Sequence, residues 1–257
     1  CVSQYTDWAG AGGAKADAQN PRFTEAQERT KRIAETNETW TDPREQGDLP
    51  DIYIAMGQTA ENVATAYGIS RERQDEWGVT SQNRAEAAIA RGFFDWEITP
   101  ITTPDGTVVT KDDGPRAGVT LEEVQGLNPV FREQGTVTAG NCCPLNDGAA
   151  AVVIMSDTKA RELGLTPLAR IVSTGVSGLS PEIMGLGPVE ASQRALRLAG
   201  LTIDDIDLVE INEAFAAQVI PSYRELNIPL EKLNVNGGAI AVGHPFGMTG
   251  ARLQNTM

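Results

Sequence analysis

The chain has 257 residues, 40% of them hydrophobic, enough to bury one large core or two small ones. Its 35 acidic side chains against 21 basic ones leave a net charge of −14. That argues against nucleic acid or an anionic membrane as a main partner, because both need clustered cations.

Residues 1–50 carry Gly, Pro and Asp breakers with little periodicity and read as loop with short elements. A helix is predicted through "AENVATAYG", with Thr59 as its cap and Gly68 as its stop. Ser70 opens a longer one that ends near Gly92, with Trp77, Ser81, Ala85, Ala88 and Ile89 near one face. Residues 96–135 mix short strands with turns such as "TPDGTVV". From residue 147 the texture changes. "DGAAAVVIMS" reads as a strand buried on both faces, followed by a Ser156-capped helix. "LARIVSTGVSG" and "IDLVEIN" read as strands, and "LNVNGGAIAVG" as a strand running into a turn. Between them lie helices over "GPVEASQRALRLAG" and "EAFAAQVIPSYRELN". Strand and helix alternating at this spacing predict an α/β sheet with helices on its faces. Acidic clusters such as "RERQDE" and "LEEVQG" read as solvated helix faces without chemistry.

No apolar run of about 18 residues is available to cross a bilayer, and no secretory signal pattern opens the chain. The expected compartment is a reducing cytoplasm, since three cysteines (Cys1 and the adjacent Cys142 and Cys143) make no disulfide framework. The chain begins with Cys1 and stops at "GARLQNTM", inside a helix just begun, so it reads as an internal piece of a longer protein.

Three segments could carry chemistry. "GGAIAVGHPFGMTGAR" holds the one histidine, His244, among glycines that let the backbone approach a ligand closely. An imidazole there suits a general base or an oxyanion donor; a tight turn with an incidental histidine is the plainer alternative. The segment fits neither the phosphate-loop nor the dinucleotide pattern. "EINEAFAAQ" puts Asn212 and Glu213 where an apolar strand meets a helix, the end of an α/β sheet at which ligands sit. Asn212 either holds a water or carbonyl there or caps the helix. "TAGNCCPLNDGAAA" is a turn-rich loop entering an apolar run. Its vicinal cysteines lack zinc-site spacing, and with one histidine no metal site is expected.

Together these segments resemble the thiolase family. "NVNGGAIAVGHPFGMTGAR" is similar to its glycine-histidine-proline signature and "INEAFAAQ" to its Asn-Glu-Ala-Phe motif. "MGQTAENVATAYGISRERQDEW" and "VTAGNCCPLNDGAAAVVIMS" are similar to its CoA-handling loop region and the strand after it. The resemblance implies two mixed five-stranded α/β halves in the intact protein, here incomplete, plus a loop domain. It divides this chain into a CoA-handling loop region of the N-terminal half (1–145), the last strand and helix of that half (146–167) and a truncated C-terminal half (168–257). It implies thiolysis of a 3-ketoacyl-CoA or the reverse condensation, through an acyl-cysteine, with CoA as co-substrate and no bound cofactor.

Carried over, His244 would deprotonate the nucleophile and help bind the thioester oxygen, and Asn212 would hold a water completing that oxyanion hole. Met56, Ala139, Cys143, Met184 and Phe215 would line the pantetheine and acyl path. Many relatives have serine where Cys143 stands. The family's nucleophile sits in a Cys-x-Ser turn opening a buried helix. Cys1-Val2-Ser3 imitates that turn, but "QYTDWAGAGG" cannot continue as the helix, so Cys1 is read as non-catalytic. The family's second cysteine, in a Cys-x-Gly-Gly-Gly turn, is not in the sequence either. The expectation is an acyltransferase inactive as this piece, whose intact form is a homodimer or homotetramer. The alternative is a degenerate thiolase that binds acyl-CoA or a partner subunit without catalysis.

Overall fold

The computed structural model describes residues 19–257. Cys1 and its imitation of the nucleophile turn lie outside the described residues.

Helix α1 (Thr24–Thr36) occupies a stretch whose sequence reads as irregular, between a 3-10 turn at Pro21–Phe23 and a left-handed Asn37. Only Ala26 of it is buried, so its stripe is too sparse to stand out. Helix α2 (Met56–Tyr67) begins three residues before the predicted cap: Ala55 is the N-cap, and the Thr59 hydroxyl donates to the Met56 carbonyl from inside the first turn. Helix α3 (Arg71–Ala90) is capped by the Ser70 hydroxyl, which accepts from the Arg73 N–H, as predicted. Trp77, Ser81, Ala85 and Ala88 are buried, whereas Ile89 is 48% exposed and lies off the predicted face.

Strands β1 (Ile101–Thr102) and β2 (Val108–Val109) pair as a hairpin around the predicted turn, with Ile101 opposite Val109. Helix α4 (Leu121–Gln125) has a Thr120–Glu123 capping box. Helix α5 (Asp157–Glu162) is capped by Ser156, and α6 (Gly187–Ala199) ends on a left-handed Gly200. Helices α7 (Ala216–Glu225), α8 (Ala239–Val242) and α9 (Thr249–Thr256) complete the chain.

The core lies where α2, α3, α7 and α8 meet. Val63, Val137, Ala216, Val219 and Leu233 are fully excluded from water, and Trp77 stacks on Tyr223 with ring centroids 5.6 Å apart. Buried apolar area is the main stabiliser of such a cluster.

The predicted strands of the second half behave differently. Residues 207–213 make only a parallel bridge, Val209 to Leu233, and "AIAV" turns into α8 instead of extending a strand. The segment predicted to be buried on both faces, 147–156, runs without regular structure or ladder partner; Val153 is 86% exposed. The strand predicted at 168–178 is likewise unpaired, with Leu168 fully exposed. A strand needs neighbours to satisfy its N–H and C=O groups and to cover its faces. Among the described residues neither segment has a ladder partner; 168–178 meets α6 through Gly175, Ser173 and Val176, and Gly148 lies against Pro245.

Candidate active site

Asn212 and Glu213 follow the Val209 bridge and precede α7. Asn212 does not cap that helix; the N-cap is Phe215, with no side-chain bond. The Asn212 backbone carbonyl accepts from Gln218 Nε2 at 2.7 Å, while its side-chain Oδ1 is buried with no partner among the described residues. A buried acceptor left open suits a bound water or ligand donor.

Glu213 is fully buried, a role the sequence reading missed. It accepts from Ser81 Oγ at 2.6 Å, from Asn234 Nδ2 at 2.8 Å and from the Ile240 N–H at 3.2 Å. The Gly238 N–H donates to Ser81 Oγ at 3.1 Å. A Cβ at Gly238 would sit 2.5 Å from both Glu213 oxygens, so this close approach requires glycine. Burial raises the Glu213 pKa against the pull of these donors. The carboxylate thus ties the Asn-Glu segment, helix α3 and the glycine-rich turn into one unit. The available signal was an acid just past Asn212 at the end of an apolar run; its partners, far away in sequence, were invisible.

His244 follows from α8. Gly243 has φ +93°, and a Cβ there would collide with the Asn146 side chain. Asn146 Oδ1 in turn accepts the His244 N–H at 3.1 Å. The half-buried imidazole meets Phe246 edge-on at 5.1 Å, and its Nδ1 lies 2.7 Å from Thr249 Oγ1. Burial, aided by the Arg252 cation, lowers its pKa and favours the neutral ring. No hydrogen bond among the described residues joins His244 to Asn212; the Glu213 hub and α8 connect them.

The loop with the vicinal cysteines is held against the same helix start. The Cys143 N–H donates to the Ala214 carbonyl at 3.0 Å, the Ala216 N–H donates to the Asn141 carbonyl at 2.8 Å, and Cys142 bridges Phe215. Asp75 anchors this loop from α3, accepting from Asn141 Nδ2 at 2.8 Å and Arg71 Nε at 2.7 Å. "RERQDE" is therefore not wholly a solvated face: Gln74 and Asp75 are buried. Burial pushes the Cys142 thiol up to about 11 and the Cys143 thiol up to about 12, so neither is a ready thiolate.

Phe215 packs edge-on against Phe131 at 6.1 Å, and Phe131 in turn lies where a Cβ on Gly57 would be, which brings the start of α2 and Met56 to this cluster. Met184, in the 3-10 turn Pro181–Leu186, is 47% exposed, and Gly185 beside it lies against Gln218 of α7. Ala139 is exposed on the turn before Asn141. Met56, Cys143 and Phe215 thus share one neighbourhood, Met184 borders it across α7, and His244 lies on the Asn146–Glu213 side. Among the described residues no group of three or more His, Cys, Asp or Glu side chains can hold a metal ion, and no helix is long and apolar enough to cross a membrane.

The model of the thiolase N-terminal domain matches residues 12–158, and that of the thiolase C-terminal domain residues 165–257. The acetyl-CoA acetyltransferase of Cupriavidus necator is 54% identical over 215 residues, covering 81% of this chain and 55% of that protein. The dimeric peroxisomal thiolase of Saccharomyces cerevisiae superposes with a TM-score of 0.79 at 42% identity, over 86% of this chain and 56% of that one. Human mitochondrial 3-ketoacyl-CoA thiolase in complex with CoA does so with a TM-score of 0.74 at 45% identity, over 80% and 52%. The chain spans about half the length of the curated relatives it matches. Its architecture is the α/β fold of these solved structures, and the chain belongs to the thiolase family.

Proposed function

We propose that this chain supplies the base and part of the oxyanion site of a thiolase-type acyltransferase, which cleaves or forms 3-ketoacyl-CoA through an acyl-cysteine. His244 takes the proton of the attacking thiol, and the resulting imidazolium donates to the thioester oxygen. Asn212 Oδ1 accepts from a water whose position completes the oxyanion site. General-base help of this kind contributes about 10²–10⁴ in rate, and preorganised donors at a developing oxyanion add to it. Met56, Ala139, Cys143, Met184 and Phe215 line the pantetheine and acyl path. CoA and acyl-CoA are the substrates, the intact protein is a homo-oligomer, and the compartment is cytoplasmic.

The observation that carries this reading is the buried, unpartnered Asn212 Oδ1 tied through Glu213 to the loop of a neutral imidazole. Neither described cysteine is poised as the nucleophile, so we assign none to this chain. A thiolysis assay on the 257-residue chain with acetoacetyl-CoA and CoA is expected to give no turnover. Turnover that disappears in Cys1→Ser would place the nucleophile at Cys1 and overturn that part. Calorimetric titration of the folded, monodisperse chain with CoA is expected to show binding that weakens in Phe215→Ala. Absence of binding would sink the pantetheine path.

A second reading, equally consistent with the raised thiols, is a chain that binds acyl-CoA without catalysis. In an assembly that does turn over acetoacetyl-CoA, His244→Ala separates the two: activity is lost under the first and unchanged under the second.

A further inference from the structure

The sharpest geometry at His244 concerns its other neighbour. Thr249 is buried, and its hydroxyl stands between two groups: His244 Nδ1 at 2.7 Å and the Pro245 carbonyl at 2.9 Å. A hydroxyl owns one hydrogen. Both contacts are hydrogen bonds at once only if the hydroxyl hydrogen goes to Pro245, four residues earlier and just ahead of α9, whose carbonyl also accepts the Met248 and Thr249 N–H groups. Thr249 Oγ1 then has only lone pairs to offer, and the hydrogen of the 2.7 Å contact belongs to Nδ1.

We infer that Thr249 is a positioning residue that locks neutral His244 in its Nδ1–H tautomer, leaving the Nε2 lone pair free to take a proton. Unconstrained neutral imidazole prefers the opposite tautomer, so the bias must come from the loop. The rest of the loop supports it. Phe246 meets the ring edge-on, and Asn146 fixes the backbone from which the ring projects toward Thr249. Among the described residues Nε2 has no hydrogen-bond partner. The inference rests on the proposed role of His244 as base only for its catalytic meaning; the tautomer itself is independent of it.

Because the chain has a single histidine, one labelled ring gives the answer. Long-range ¹H–¹⁵N correlation of the uniformly ¹⁵N-labelled 257-residue chain, at a pH above the titration of the ring, separates pyrrole-type from pyridine-type nitrogens. The expected result is pyrrole-type Nδ1 and pyridine-type Nε2. Thr249→Val should lose the bias toward Nδ1–H, and Thr249→Ser should keep it. A wild-type spectrum with the proton on Nε2 overturns the inference, as does an unchanged bias in Thr249→Val. The wild-type and serine spectra decide the matter even where the valine variant fails to fold. Should the bias be present while His244→Ala leaves the activity of a competent assembly untouched, the base role fails and the Thr249 lock stands.

Discussion

Two stretches of similar apolar content end in opposite states. Residues 208–242 are anchored: Leu233, Ala239 and Ala241 are fully buried, and Glu213, Asn234 and Ser81 tie the Asn-Glu segment to the glycine-rich turn. Residues 145–176 present Leu145, Val153, Ile154, Leu168 and Val176 to solvent. Composition does not separate them; partners do. The first stretch reaches α3 and a parallel bridge, and the second reaches no ladder among the described residues. Hydrophobic sequence yields a core only when a second element covers it.

The contrast can be broken most severely at Gly238. Gly238→Ala drives a methyl into a carboxylate held by three donors, and a loss of roughly 4 kcal/mol is expected, read as a collapsed urea midpoint. Leu233→Ala, at a site with no exposure, is expected to cost about 3 kcal/mol in the same experiment. A loss under about 1 kcal/mol at either position would mean that the anchored stretch is not a packed core.

Titration sharpens the same comparison. Glu210 is buried beside Arg252 at 3.4 Å, and burial outweighs that cation, raising its pKa from 4.5 to about 7. Between those two values the native state keeps a proton that the unfolded chain has released. Stability is therefore lost as pH rises through that window, by no more than about 3 kcal/mol. The melting temperature should fall from pH 5 to pH 8, and Glu210→Gln should flatten the slope. An unchanged slope in that variant would remove Glu210 as the cause.

On the open side, Leu168→Ser should leave the unfolding midpoint within about 0.5 kcal/mol of wild type while lowering light scattering on concentration, since it removes an uncovered apolar group. Smallest of all, Arg161→Ala breaks an exposed pair with Asp157 at 2.9 Å and should change stability by less than about 0.5 kcal/mol. A large effect there would show that α5 is packed against something after all.

The same division governs what could be read from the sequence. Helix ends are local: Ser70 and Ser156 cap, and Gly68 and Gly200 terminate, where the sequence puts them. Strands depend on distant partners, so apolar runs at 147–156 and 168–178 predicted pairing that the described residues do not provide. The glycine-rich turn and the Asn-Glu pair were legible as motifs. The burial of Glu213 and of Asp75 was not, because each is made tolerable by residues from another part of the chain. Thr249 stood in plain view five residues after His244, but its meaning depends on which way one hydroxyl hydrogen points.

Ser81 lies 157 residues ahead of Gly238, whose N–H it accepts. A ribosome adding roughly 5–20 residues per second takes about 8–30 s to cover that distance. Throughout that interval Trp77 and Ala85 of helix α3 lack their eventual neighbours Tyr223 and Gly237. A serine made early is thus kept waiting by a glycine made late, and the anchored half closes only once synthesis has passed Gly238.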